Sequence, residues 1–108
     1  MDKRVRETRK GILPVLVLAL LSKRPMTAHE IVHELESNGI RMPIGTIYPM
    51  LKRLENEGLV ISRRRLSEPR PQKEYVITDE GKKVLTEMSK LLRNIFEAIK
   101  KLLWESRG

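Results

Sequence analysis

The run IGTIYPMLKRLENEGLV at residues 44–60 constrains this chain more than any other stretch. At helical spacing it gathers Ile44, Ile47, Leu51 and Leu54 on one face and sets Gly45, Thr46, Pro49, Lys52, Arg53 and Asn56 on the opposite one. Such a helix packs one side on a core and offers the other, small and partly basic, to a polar partner. Gly58 closes it where a left-handed residue costs least, and LVISRRRL follows as a short strand with three consecutive arginines. A helix of this kind running into an arginine-rich strand points to a DNA reader. Pro49 lacks the N–H that would bond the Gly45 carbonyl, so the first turns are expected to be either kinked or loosened.

Charge supports a polyanionic partner. Twenty-two Lys and Arg against fourteen Asp and Glu leave a net +8 on 108 residues, a length that suits one domain with a core needing no disulfide or metal staple. The excess is uneven: residues 1–10 and 61–75 each carry five basic and two acidic side chains, whereas residues 27–37 carry three glutamates and no Lys or Arg. Cysteine is absent, which excludes thiolate chemistry and a disulfide framework and suits a reducing cytoplasm.

The charged start followed by ILPVLVLALL invites comparison with a signal peptide. Asp2 and Glu7 interrupt the positive region, no small-x-small site follows, and Lys23-Arg24 comes directly after the run. Ten apolar residues are also too few to span a bilayer, so a buried helix over residues 13–22 is expected, with Pro14 tolerated in its first turn and no membrane partner.

The remaining pattern predicts a mainly α chain with a small β-hairpin. Thr27 and Glu30 form a T-x-x-E capping box, and Ala28, Ile31, Val32 and Leu35 continue it as an amphipathic helix that Asn38-Gly39 ends. Strands are expected at residues 60–66 and 73–77, joined by a loop containing Pro69, Arg70 and Pro71. Thr78 caps a last helix reaching about residue 106, on which Leu85, Met88, Leu92, Ile95, Ile99 and Leu102 alternate at spacings of three and four. At 1.5 Å per residue that helix is roughly 40 Å long, more than the rest of so small a domain can cover. A second copy of the chain is the simplest cover, and a helix folded back on its own domain is the alternative. Residues 1–78 are thus expected to form the DNA-binding part and residues 79–108 a dimerisation helix, together one compact unit.

The segments GTIYPMLKRLENEGLV and PRPQKEYVITDEG closely resemble the PadR-type winged helix-turn-helix transcriptional regulators, and the resemblance covers nearly the whole chain. Pro69, Gln72 and Glu74 stand where such regulators tend to carry Gly, Arg and Tyr, and Ala28-His29 replaces a Gly-Tyr pair. The resemblance implies a homodimeric repressor on a palindromic double-stranded operator, without a cofactor. In that reading Gly45, Thr46, Pro49, Lys52, Arg53 and Asn56 enter the major groove, where Thr meets a thymine methyl or a phosphate and Arg53 meets guanine or phosphate. The ring of Tyr48 is expected to pack at the buried edge with its hydroxyl free for a phosphate. Arg63 and Arg65 share one face of their strand and Arg64 the other; with Arg70 and Lys73 they resemble the wing that lies along the backbone. Lys3, Arg4, Arg6, Arg9 and Lys10 are candidates for further phosphate contacts. Multidrug-sensing relatives hold flat aromatic effectors between subunits. An effector pocket lined by Leu92, Phe96 and Trp104 is the corresponding expectation here, with plain helix packing the stronger account. A protein-interaction or RNA-binding winged helix is the second functional class.

One motif points elsewhere. His29-Glu30-Ile31-Val32-His33 matches H-E-x-x-H, two imidazoles one turn apart with a Glu base, as metal-assisted hydrolysis requires. No third His exists, and the imidazoles and Glu36 lie about a third of a turn from the apolar stripe, so they are expected to face solvent, with no metal and no enzyme.

Overall fold

The computed structural model describes residues 2–67 and 69–105, with residues 6–10 and 105 by backbone alone. The elements are α1 (Lys3–Leu21), β1 (Met26–Thr27), α2 (Ala28–Ser37), α3 (Ile44–Asn56), β2 (Val60–Arg65), β3 (Gln72–Ile77) and α4 (Asp79–Lys100), which continues into a π-helical turn, Lys101–Glu105. Residue 106, the expected helix end, lies outside the described residues.

Helix α1 starts ten residues earlier than the apolar run predicts. The Asp2 carboxylate accepts from the Arg4 N–H at 2.7 Å and caps the first turn, so the charged segment is helical as well. Pro14 therefore sits in the helix interior and not in its first turn, leaving the carbonyl one turn back without its usual donor. Burial of Leu13, Val17, Leu18 and Leu21 against the core holds the segment helical despite that loss.

Helix α2 opens with the expected capping box: the Thr27 hydroxyl accepts from the Glu30 N–H at 3.2 Å, and the Glu30 carboxylate accepts from the Thr27 N–H at 2.9 Å. Ten residues do not make a stable helix alone, so α2 depends on fully burying Ile31 and Leu35, worth roughly 1.5–3 kcal/mol each. Helix α3 runs unbroken through Pro49, with its first turn tightened by the Pro43 carbonyl, which accepts from Thr46 at 2.9 Å and Ile47 at 3.4 Å. It ends at Gly58, whose φ of 76° lets the Leu59 N–H return to the Leu54 carbonyl at 3.0 Å.

The hairpin proves to be two strands of a three-stranded antiparallel sheet, ordered β1-β3-β2. The additional strand, β1, pairs Met26 with Tyr75 and Thr27 with Glu74. Val60, Tyr75, Ile77 and Met26 turn inward from the sheet and close the core over Val17, Ile31, Leu35, Ile47 and Leu51. Helices α2 and α3 with their short connection form a helix-turn-helix, and β2 and β3 are its wing.

Helix α4 is rooted where α3 ends. The Thr78 hydroxyl accepts from the Gly81 N–H at 3.0 Å and lies 2.7 Å from the Gly58 carbonyl, while the Thr78 N–H donates to the Leu59 carbonyl at 3.1 Å. Gly81 is pressed against that same Leu59 carbonyl, and a Cβ on it would also lie 2.8 Å from Ile77 Cγ1. Val84 and Leu85 then pack on the chain's own core, so the first residue of the predicted seam is partly covered within one chain. Met88 and Leu92 are half-buried, and beyond them Ile95, Phe96, Ile99, Leu102, Leu103 and Trp104 are exposed. Among the described residues no helix is long and apolar enough to cross a membrane.

Candidate nucleic-acid interface

The inner face of α3 is fixed by Ile47, Leu51 and Leu54, all buried, with Ile44 partly so. That leaves Gly45, Pro49, Lys52, Arg53 and Asn56 exposed and Thr46 half-exposed on the outside. Open space surrounds the position a Gly45 Cβ would take, so the chain's own packing does not require glycine there. Tyr48 departs from expectation: the residue is 48% exposed instead of packed at the buried edge, because the helix turns it past the Ile47 and Leu51 stripe toward solvent. Arg53 pairs with Glu57 one turn on, at 3.4 Å. Both groups are largely solvated, so the pair is weak enough to exchange for another anion.

Register divides the wing into two unlike faces. Arg64 lies directly opposite Lys73 and Ser62 opposite Tyr75 on the face toward α3, where the Ser62 hydroxyl donates to the Glu55 carboxylate at 2.7 Å and the Lys73 ammonium sits 5.7 Å from the Tyr75 ring centroid. Arg64, Arg70 and Lys73 line a shallow groove of about 550 Å³ together with Ser62 and Arg63; the Glu55 carboxyl, held low mainly by the Ser62 hydroxyl, also feels the Lys73 charge. The opposite face carries Arg63 and Arg65, both drawn onto Glu74, which stands out in the sequence only as a departure from the family pattern. Arg63 Nε donates to one carboxylate oxygen at 2.7 Å and Arg65 Nε to the other at 2.6 Å. Arg65 continues to Glu30 at 2.9 Å and the Pro25 carbonyl at 3.4 Å, and Arg24 adds Glu30 at 3.8 Å and Glu34 at 3.4 Å. The acid directly across the ladder from Arg63 was the available signal, because opposite charges on facing strand positions pair.

These contacts set the protonation of the two acids. Hydrogen bonds from Arg63 and Arg65 hold the Glu74 carboxyl below its ordinary 4.5. At Glu30 partial burial pushes the carboxyl up, but the Thr27 N–H and Arg65 outweigh it and the net shift is downward. A folded-state value below the unfolded one stabilises the fold above the unfolded value, and that contribution is lost as pH falls through the folded value. Glu74→Gln is therefore expected to lower the melting temperature at neutral pH while flattening its fall between about pH 6 and about pH 3. Parallel melting profiles for the two proteins would refute this.

Of the N-terminal cations, Lys3 is exposed and Arg4 is tied to Asp2 at 3.0 Å; the side chains of Arg6, Arg9 and Lys10 lie outside the described residues. His29 and His33 are exposed on α2, Glu30 between them is committed to its cap and to Arg65, and Glu36 pairs with Arg41 at 3.7 Å. Among the described residues no group of three His, Asp or Glu is placed to hold a metal ion. Phe96 and Trp104 are 54% and 62% exposed, so a pocket lined by them with Leu92 needs a wall from another chain.

The arrangement matches known proteins throughout. Residues 17–87 fit the transcriptional regulator PadR-like family. The chain is 30% identical over 91 residues to the transcriptional regulator Rv3488 of Mycobacterium tuberculosis, covering 84% of this chain and 85% of that one. A PadR family transcriptional regulator from Eggerthella lenta superposes with a TM-score of 0.83 at 36% identity, covering 94% of this chain and 89% of the other. PadR of Bacillus subtilis, solved in complex with operator DNA, superposes with a TM-score of 0.66 at 27% identity over 71% of this chain and 46% of its own length. With a winged helix-turn-helix of this topology and a family match spanning most of its length, the chain belongs to the PadR-like family of transcriptional regulators.

Proposed function

We propose that this regulator acts as a homodimeric repressor that binds a palindromic double-stranded operator in a sequence-specific manner. The observation that carries the reading is Arg64 facing Lys73 across the strand pair, on the side of the wing that adjoins α3. Like charges at directly opposed positions destabilise a free sheet, and a phosphate between them removes that cost. Gly45 adds to this, since a helical glycine with no packing duty costs about 1 kcal/mol relative to alanine and is explained by backbone approach to an outside partner. The B. subtilis protein, solved on its operator, supports DNA as that partner.

In this reading α3 enters the major groove, Arg53 exchanges Glu57 for a base edge, Thr46 and Asn56 contact bases or phosphates nearby, and Lys52 and the Tyr48 hydroxyl hold the backbone. Arg64, Arg70 and Lys73 hold the flanking backbone. Residues 79–108 join two chains through Met88, Leu92, Ile95, Ile99 and Leu102, which spaces the two reading helices for successive grooves. An effector lying between subunits against Leu92, Phe96 and Trp104 would regulate release.

The test starts from a duplex selected out of a random pool, compared with its scrambled version and with RNA. Arg53→Ala is expected to cost about 1–3 kcal/mol on the selected duplex and much less on the scrambled one. Arg64→Ala is expected to weaken both alike and to lower the slope of log affinity against log salt by about 0.9 for each phosphate the wing no longer neutralises. Equal losses for Arg53→Ala on both duplexes would remove α3 as the reader, and preference for RNA would remove DNA as the partner.

A further inference from the structure

The face of the wing turned away from α3 poses a separate question, because it holds two arginines that any backbone-tracking wing would be expected to use. Glu74 is buried, with its side chain only 10% exposed, and each of its two oxygens takes one guanidinium Nε. Arg24, Arg63 and Arg65 are matched there by Glu30, Glu34 and Glu74, three cations against three carboxylates. That face is electrically balanced, while on the other face Arg64 and Lys73 stand against Glu55 alone. Glu74 holds only the Nε of each guanidinium, so a phosphate at the other Arg63 nitrogens would still face the Glu74 charge behind them, and drawing either arginine away would cost Glu74 a charge-assisted hydrogen bond at a site with little access to water.

We propose that Glu74 limits the wing's sequence-independent affinity for DNA: it withholds Arg63 and Arg65 from phosphates, so that Arg64, Arg70 and Lys73 set the wing's hold on the backbone. The inference rests on the DNA-binding reading above. Phosphate contacts strengthen binding to every sequence equally and carry no base information. Keeping such contacts few lowers affinity for operator and bulk DNA alike and leaves their ratio unchanged, which speeds release from every site. An internal carboxylate achieves this without removing the arginines, which remain as ties between β2, β3 and the first turn of α2.

The experiment is a salt titration of the full chain on the scrambled duplex, with wild type, Arg63→Ala, Arg64→Ala and Glu74→Gln compared. Arg64→Ala is expected to flatten the salt slope, whereas Arg63→Ala leaves it unchanged although Arg63 is the more outlying of the two Glu74 partners. Glu74→Gln is expected to bind the scrambled duplex more tightly and with a steeper slope. Each liberated arginine that reaches a phosphate adds roughly a three- to fourfold loss of affinity over a fourfold rise in salt. The selected duplex gains in the same proportion, so the ratio of selected to scrambled affinity stays unchanged. A folded Glu74→Gln protein with an unchanged or flatter slope overturns the proposal, as does an Arg63→Ala protein that flattens the slope as much as Arg64→Ala. If circular dichroism shows Glu74→Gln unfolded, the comparison of Arg63→Ala with Arg64→Ala decides by itself. A wild-type chain with no salt-dependent affinity for any duplex would instead refute the DNA-binding reading, and this inference with it.

Discussion

A chain carrying both Leu92→Glu and Ile95→Glu is expected to fold, to run as a monomer, and to bind a two-half-site operator roughly 100- to 10,000-fold more weakly than wild type. Within one chain neither residue belongs to the core: Leu92 is half-buried and Ile95 is 45% exposed. The substitutions therefore leave the winged helix-turn-helix intact, and helical content measured by circular dichroism should hardly change. In a symmetric pair of α4 helices each new carboxylate would be desolvated beside its symmetry mate, a cost no neighbouring cation on the seam offsets. Loss of the second half-site then removes the gain from linking two binding events in one particle. Light scattering that finds the double variant still dimeric at micromolar concentration would assign assembly to another surface.

Gly81→Ala should be strongly destabilising although it adds only one methyl group. The added methyl would overlap the backbone carbonyl of Leu59 and lie 2.8 Å from Ile77 Cγ1, and neither group is the free end of a flexible side chain. Overpacking of this kind usually costs about 1–3 kcal/mol, and a clash with backbone places it at the upper end. For a domain of this size about 3 kcal/mol corresponds to a fall in melting temperature of roughly 10–20 °C. The same substitution at Gly45, where a Cβ meets open space, serves as the control and should raise the melting temperature, by up to about 4–8 °C. A Gly81→Ala protein melting with wild type would mean that α4 can leave its seat against Leu59 without loss.

What could be read from the sequence was whatever local chemistry determines. The Thr27 and Glu30 box, the Gly58 terminus of α3 and the Thr78 cap each involve residues within a few positions of one another, and each appears as the residue types require. Strand β1 was not legible, because two residues carry no period and Met26 is held by Tyr75 far along the chain. The true start of α1 was hidden because Pro14 and the charges before it resemble a boundary, whereas Asp2 supplies a cap upstream and the core supplies the burial. Alternation along β2 correctly put Arg63 and Arg65 on one face, but their engagement depends on Glu74 across the ladder and on Glu30 in another element. Likewise the spacing of Leu85 fits the seam, yet only packing shows that it is also partly covered by its own chain.

The seat of Gly81 on the Leu59 carbonyl bears on how strictly a dimer of this chain would measure distance along DNA. At 1.5 Å per residue the 22 residues of α4 make an arm of roughly 33 Å. One degree of swing about its root then moves its tip by roughly 0.6 Å over that length. Inserting a single base pair between half-sites displaces one of them by about 3.4 Å and also turns it by roughly 34–36° around the duplex axis. The arm could absorb the displacement with a tilt of about six degrees at its root, but a joint bonded at Gly58, Leu59 and Thr78 cannot supply the twist. In a dimer built on this arm, the absence of one methyl group at residue 81 would act as the stop on a ruler, and operators differing by one base pair in length would be told apart by a contact that never touches them.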